Sequence, residues 1–158
     1  MKQERARRGL RYADWADVSS KELSMCDYSL HVVSSRPAES AETIVTSDFA
    51  GTKTRGFASP ADPTTAVCLR PGTEVVFERK AYADGLLFRR AIGERLARFR
   101  QIDLNKAAQH HDALEFANGT IVLVTDLVVG QRAMVLQLPA DPAEKPAIKT
   151  VADEIVAA

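Results

Sequence analysis

The sequence predicts an all-β fold, a small antiparallel barrel or sandwich of about seven strands. Short runs of β-branched and aromatic residues recur along the chain, and turn signals rich in proline, glycine and asparagine separate them. The sequence does not alternate strands with long helical patterns, as a parallel sheet would require. Its 158 residues suffice for one domain that buries a hydrophobic core.

The first part of the globular pattern predicts four strands. Proline-rich residues 59–63 form a loop between the second and third of them. Pro71 and Gly72 favour a type II turn between the third and fourth, because proline presets φ at the first central position and glycine tolerates positive φ at the second. These strands are expected over residues 28–33, 42–47, 65–69 and 74–79.

Residues 86–103 fit two interpretations. Four apolar residues have helical spacing, namely Phe88, Ile92, Leu96 and Phe99, but Gly93 interrupts that stripe. Because the neighbouring segments are strands, we favour a strand over 95–102. Alternation then directs Ala97 and Phe99 inward and Arg98 and Arg100 outward.

Asn118-Gly119 is the strongest local signal. It predicts a type I′ hairpin between residues 113–117 and 120–125, because both residues tolerate positive φ. The register would pair Phe116 with Ile121 and Leu114 with Leu123. Residues 132–138 are predicted to return as a third consecutive antiparallel strand, which Pro139 ends.

The domain boundaries follow from composition. Residues 1–24 form an N-terminal arm without apolar periodicity, residues 25–139 the β domain and residues 140–158 a C-terminal tail. A short helix over 148–156 is expected within the tail, because four apolar residues share one helical face. Those residues are Ile148, Val151, Ala152 and Ile155.

Charge and cysteine content limit the class of protein. There are 21 basic and 21 acidic residues, so general nucleic-acid binding is not expected. No apolar run is long enough to cross a bilayer, and the N-terminus does not resemble a signal peptide. With only two cysteines, we expect a soluble cytoplasmic protein with free thiols and no membrane partner.

One candidate metal site comprises every cysteine and every histidine of the chain. Thiolate and imidazole are the ligands that zinc and similar transition metals prefer, so three of these five residues would suffice. The opposing interpretation is that the cysteines pack in the core and the histidines are solvated, because their spacing matches no metal motif. The candidates are Cys26, His31, Cys68, His110 and His111.

Local chemistry indicates two further candidate sites, one for an anion and one for a general base. Arg98 and Arg100 could hold an anion bidentately, although Phe99 between them would point into the core. Asp112 could orient His111 as a general base, yet adjacent residues rarely aim their side chains at each other. The familiar dinucleotide, P-loop, zinc-protease and serine-hydrolase motifs do not occur.

Three segments resemble a family of uncharacterised bacterial proteins: CDYSLH at 26–31, AVCLRPGTE at 66–74 and ALEF at 113–116. The resemblance covers residues 25–139 and ends in VLQLP at 135–139. It implies no activity, and it implies that residues 1–24 are an addition.

The sequence favours a small binding module, for which a bound transition metal is one option. It leaves open a structural subunit of a larger or homo-oligomeric assembly, which would have a protein partner or a second copy. A small metal-dependent or histidine-dependent enzyme is the third alternative, so the sequence does not decide whether the protein is an enzyme.

Overall fold

The computed structural model describes residues 32–140, and within that range the protein is all-β apart from one 3₁₀ turn at Val124–Asp126. No helix in this range is long and apolar enough to span a membrane. The strands are β1 (Ser35–Pro37), β2 (Thr43–Asp48), β3 (Arg55–Ser59), β4 (Asp62–Cys68), β5 (Glu74–Phe77), β6 (Tyr82–Ala83), β7 (Arg90–Ala91), β8 (Leu96–Gln101), β9 (Asp112–Phe116), β10 (Ile121–Leu123) and β11 (Arg132–Gln137).

Nine strands form one sheet in the order β1-β4-β3-β2-β11-β5-β8-β9-β10, and β6 and β7 form a separate two-stranded sheet. Every pair is antiparallel except β1 with β4. The edge strands β1 and β10 do not pair with each other, so the large sheet is open. The all-β class is therefore confirmed, whereas the predicted small barrel or sandwich of about seven strands is not: the described strands number eleven, and the large sheet does not close.

The core lies on the inner face of the large sheet, which is curled, since strands as far apart in its order as β3 and β9 contact the same 3₁₀ turn. One hydrophobic cluster takes buried side chains from β2 to β5 and from β8 to β11. Phe77 and Phe116 stack at its centre, with ring centroids 5.9 Å apart. The 3₁₀ turn contacts both β3 and β9, so it bridges the open side of the curl. A smaller cluster of Phe49, Ala58 and Ala66 lies on the opposite face of the sheet.

Several predicted strands are confirmed. The runs at 42–47, 65–69 and 74–79 correspond to β2, β4 and β5, and the hydrogen bond from Thr73 N to Arg70 O closes the Pro71-Gly72 turn. The strand interpretation of 95–102 is confirmed as β8. Its alternation buries Ala97 and Phe99 and exposes Arg98 and Arg100.

The predicted hairpin at Asn118-Gly119 exists, but its register is wrong by one residue. Gly119 N donates to Phe116 O and Phe116 N to Thr120 O, which defines a three-residue loop instead of a two-residue type I′ turn. Of the loop residues Ala117, Asn118 and Gly119, only Gly119 has positive φ, at 83°. Val122 therefore faces Leu114 and enters the core, and Ile121 is 45% exposed.

The predicted three-strand meander over 113–138 is also wrong. After β10 the chain crosses the open side of the curl, and β11 inserts between β2 and β5 instead of pairing with β10. A buried threonine fixes this crossing: Thr46 Oγ1 donates to Val128 O at 2.7 Å and accepts from Gln131 N at 2.9 Å. Hydrophobic patterns locate strands but not their neighbours, so the non-local pairing of β11 has no sequence signal.

The strand inventory differs from the predicted seven in other places. β3 comes from a segment that carries weak strand signals, and β6 and β7 contain two residues each. Residues 32 and 33, the end of the strand predicted at 28–33, form a turn and a bend. Residues 28–31, the N-terminal arm and the tail helix predicted at 148–156 lie outside the described residues.

Candidate functional site

Cys68 is the last residue of β4, where it is buried opposite Pro37 of β1. It is held in a disulfide, so the expectation of a free thiol is wrong here and Cys68 cannot serve as a thiolate ligand. The other cysteine of the sequence, Cys26, lies outside the described residues, as does His31. Within 32–140, no three His, Cys, Asp or Glu residues are grouped as a metal site would require.

His110 and His111 precede β9 at the edge of the loop that follows β8. His111 is half-buried, and its Nδ1 lies 2.9 Å from the carbonyl oxygen of Ile102. Asp112 accepts a hydrogen bond from Gln101 Nε2 at 3.2 Å, across the β8–β9 pair. These contacts hold the loop to the sheet. Metal binding by histidines of this chain stays a prediction.

The two arginines predicted to bind an anion lie on the outer face of the sheet. Arg98 donates to Glu74 at 2.7 Å, and Arg100 pairs with Glu115. The hydrogen bond that Arg98 donates to the Glu74 carboxylate raises the pKa of Arg98 above its ordinary value. Because each guanidinium already faces a carboxylate, this pair of arginines has no surplus charge to offer an anion.

A different surface stands out: three consecutive large apolar residues at the end of the β6–β7 hairpin. Leu86, Leu87 and Phe88 are 101%, 82% and 83% exposed. We refer to these three residues as the apolar tip. Single exposed apolar residues are common on protein surfaces, but a contiguous exposed run marks an interaction site or an aggregation hazard.

The hairpin that carries the apolar tip is anchored at its base. Ala83 is fully buried, and Asp84 N donates to Asp126 O at 2.7 Å. The Gln131 amide binds both backbone polar groups of Tyr82: its Oε1 accepts from Tyr82 N at 2.8 Å and its Nε2 donates to Tyr82 O at 2.9 Å. Arg55 forms an ion pair with Asp84. The tip is thus presented by a fixed support.

Gly85 shapes the turn into the apolar tip. A Cβ built on Gly85 would lie 2.3 Å from the carbonyl oxygen of Phe88, well inside van der Waals contact. Any other residue would force the backbone of the loop to shift. The conformation of the apolar tip, in which residues 85 and 88 approach closely, therefore requires glycine at position 85.

Unpaired positive charge surrounds the same hairpin. Between residues 32 and 140, seven of ten arginines donate to a carboxylate or a backbone carbonyl. In this range three arginine side chains form neither an ion pair nor a hydrogen bond, those of Arg79, Arg89 and Arg90, and the same holds for the side chain of Lys80. The carboxylates of this segment, Glu78 and Asp84, are already paired with Arg132 and Arg55.

The sequence did not predict the apolar tip. Phe88 fits the candidate helical stripe, and no pattern assigns a role to Leu86 or Leu87. One signal was present: Leu86, Leu87 and Phe88 stand between Gly85 and two arginines, and three adjacent apolar residues fit neither the helical nor the strand period. Exposure, which marks this run as a surface feature, required the tertiary structure.

The fold and this surface define a class of protein: an open, mainly antiparallel sheet that presents an anchored hairpin with an apolar, cationic end. No protein-family model, curated protein or solved structure matches the chain.

Proposed function

We propose that this protein is a binding module that docks onto a partner protein through the β6–β7 hairpin. The observation that carries the proposal is the apolar tip, three adjacent apolar side chains that are 82–101% exposed on an anchored support. Burying each of them in a partner would contribute about 1.5–3 kcal/mol. Because the hairpin base is fixed by hydrogen bonds, little conformational entropy is lost on binding.

Charge specifies the partner further. The cations next to the apolar tip, Arg89 and Arg90, have no carboxylate partner within residues 32–140. An apolar pocket with an acidic rim would complement both features, and acidic residues would also raise the association rate. If the protein is instead a subunit of a homo-oligomer, a second copy of the chain would occupy this same surface. The experiment below distinguishes that case.

The first prediction is a site-specific cross-link. A photoreactive phenylalanine analogue at Leu87 of the full chain, expressed in cells of its source, should give a defined protein adduct. The same analogue at Leu104, a 67% exposed leucine in a different loop, is the matched control and should not. The cross-linked peptide of the partner should contain apolar and acidic residues.

The interaction should then be reproduced with purified partner. Replacing Leu86, Leu87 and Phe88 by serine should weaken binding at least about tenfold, with stability changed by no more than about 0.5 kcal/mol, because these side chains are exposed. Gly85→Ala should also weaken it by distorting the tip, and Leu104→Ser should not. Equal adducts at both positions, or adducts only to lipid or to a second copy, would contradict the proposal.

A further inference from the structure

A basic cleft lies at the base of the β6–β7 hairpin. It runs between the end of β5 and residues 130–132, and its volume is about 390 Å³. The residues that line it are Phe77, Glu78, Arg79, Lys80, Tyr82, Gly130, Gln131 and Arg132. The cleft shares Tyr82 with β6, so it is continuous with the hairpin that carries the apolar tip.

The charge of the cleft is unbalanced. It contains three cations, Arg79, Lys80 and Arg132, and one carboxylate, Glu78. Arg132 Nε already donates to Glu78 at 3.1 Å, whereas Arg79 and Lys80 form no ion pair within residues 32–140. Two cations therefore remain to hold oxyanions. This distinguishes the cleft from the outer sheet face, where Arg98 and Arg100 are each paired.

The walls of the cleft are fixed before any ligand arrives. Tyr82 is 44% exposed, and its backbone is clamped on both polar groups by the Gln131 amide. Gln131 Nε2 also donates to Val128 O at 2.8 Å, so both polar atoms of the amide are engaged in hydrogen bonds. The exposed phenol ring thus offers a rigid surface for the aliphatic part of a side chain, next to the two cations.

Resting on the proposed function, we infer that this cleft binds an acidic peptide segment of the docked partner. One carboxylate is held bidentately by the Arg79 guanidinium and a neighbouring one by the Lys80 ammonium. The intervening chain lies against Tyr82. The apolar tip supplies anchoring area, and the cleft selects partners that carry acidic residues near the docking pocket.

The second prediction tests the cleft with a simple probe. Titrating hexaglutamate into the ¹⁵N-labelled full-length protein should shift the backbone amide resonances of Arg79, Lys80 and Gln131 in a saturable manner. Hexaglutamine should not produce these shifts. Raising the ionic strength should weaken the binding, because the attraction is between charges.

Charge reversal provides matched variants. Lys80→Glu should weaken hexaglutamate binding about tenfold, and Arg79→Glu should do the same. Lys53→Glu makes the same change at an exposed lysine of another loop and should leave the affinity unchanged. Equal losses in the Lys53 and Lys80 variants, equal binding of hexaglutamine, or shifts confined to residues 86–90 would each overturn the inference.

The serine variant of the apolar tip separates this inference from the proposed function. It should retain hexaglutamate affinity while it loses the partner protein, since the cleft does not include residues 86–88. If the peptide binds but no partner cross-links to Leu87, the proposed function fails and the cleft remains. If the partner cross-links but hexaglutamate does not bind, the cleft assignment fails alone.

Discussion

At the residue scale, the loop between β9 and β10 shows how two side chains set a strand register. Asn118 Oδ1 accepts from Thr120 N at 3.0 Å, and its Nδ2 donates to Ile92 O at 3.0 Å. Gly119, the next residue of the loop, has the left-handed backbone conformation that glycine adopts at low cost. The resulting three-residue loop determines that Val122, and not Ile121, enters the core.

The third prediction concerns Gly119. Gly119→Val should lower the free energy of unfolding by about 1 kcal/mol or more, because a β-branched residue resists a φ of +83°. A Cβ there would meet no atom within 4 Å, so the cost comes from the backbone alone. Urea unfolding of both proteins gives the difference.

Gly119→Asn is the control for this prediction. Asparagine tolerates the left-handed region, so it should cost clearly less than valine. An equal loss of stability in the two variants would show that strain at φ is not the cause.

At the element scale, the edge strand β1 depends on few contacts. It has three residues, pairs only with β4, and is tied to the start of β2 by the Arg36–Glu42 ion pair. Glu42 also accepts from the Glu39 backbone N–H at 2.9 Å. Burial alone would raise the pKa of Glu42, but these two donors outweigh it and hold the pKa below its ordinary value of 4.5.

The fourth prediction follows from the sign of this shift. A carboxylate with a lowered folded-state pKa stabilises the protein fully above its unfolded-state pKa, and the contribution is lost as pH falls through the folded value. The stability difference between the wild type and Glu42→Gln should therefore be largest at neutral pH and shrink below about pH 4.5. Urea unfolding from about pH 6 to about pH 3 measures it.

Glu39→Gln provides the comparison for Glu42. It changes a neighbouring exposed carboxylate whose side chain accepts no hydrogen bond in residues 32–140, so its stability curve should follow that of the wild type. Parallel curves for Glu42→Gln and the wild type across this pH range would contradict the assigned role of the ion pair.

At the scale of the whole molecule, an open sheet is held by one continuous core, by the crossing after β10 and by a covalent link at Cys68. The disulfide lies at the end of β4, close to the edge strand β1. Disulfides persist in oxidising compartments, whereas cytoplasmic reductants keep most thiols reduced. The cytoplasmic location expected from the sequence would require this bond to resist those reductants.

The fifth prediction tests this bond. The denatured, unreduced protein should show no thiol that reacts with Ellman's reagent, and reduction should expose thiols. Reduction should also lower the free energy of unfolding by about 2–4 kcal/mol. The Cys68→Ser variant should match the reduced protein and be insensitive to reductant. Thiols detected before reduction would show that the bond does not form in solution.

The sequence determined the all-β class, the positions of β2, β4, β5 and β8 and the inward direction of Ala97 and Phe99, because period-two patterning and turn chemistry are local properties. The tertiary structure alone decided that the sheet stays open, that β11 lies between β2 and β5, and that residues 86–88 are exposed. Strand neighbours and surface exposure depend on contacts between residues far apart in the chain. A local pattern cannot encode them, and this is why the candidate surface emerged only from the fold.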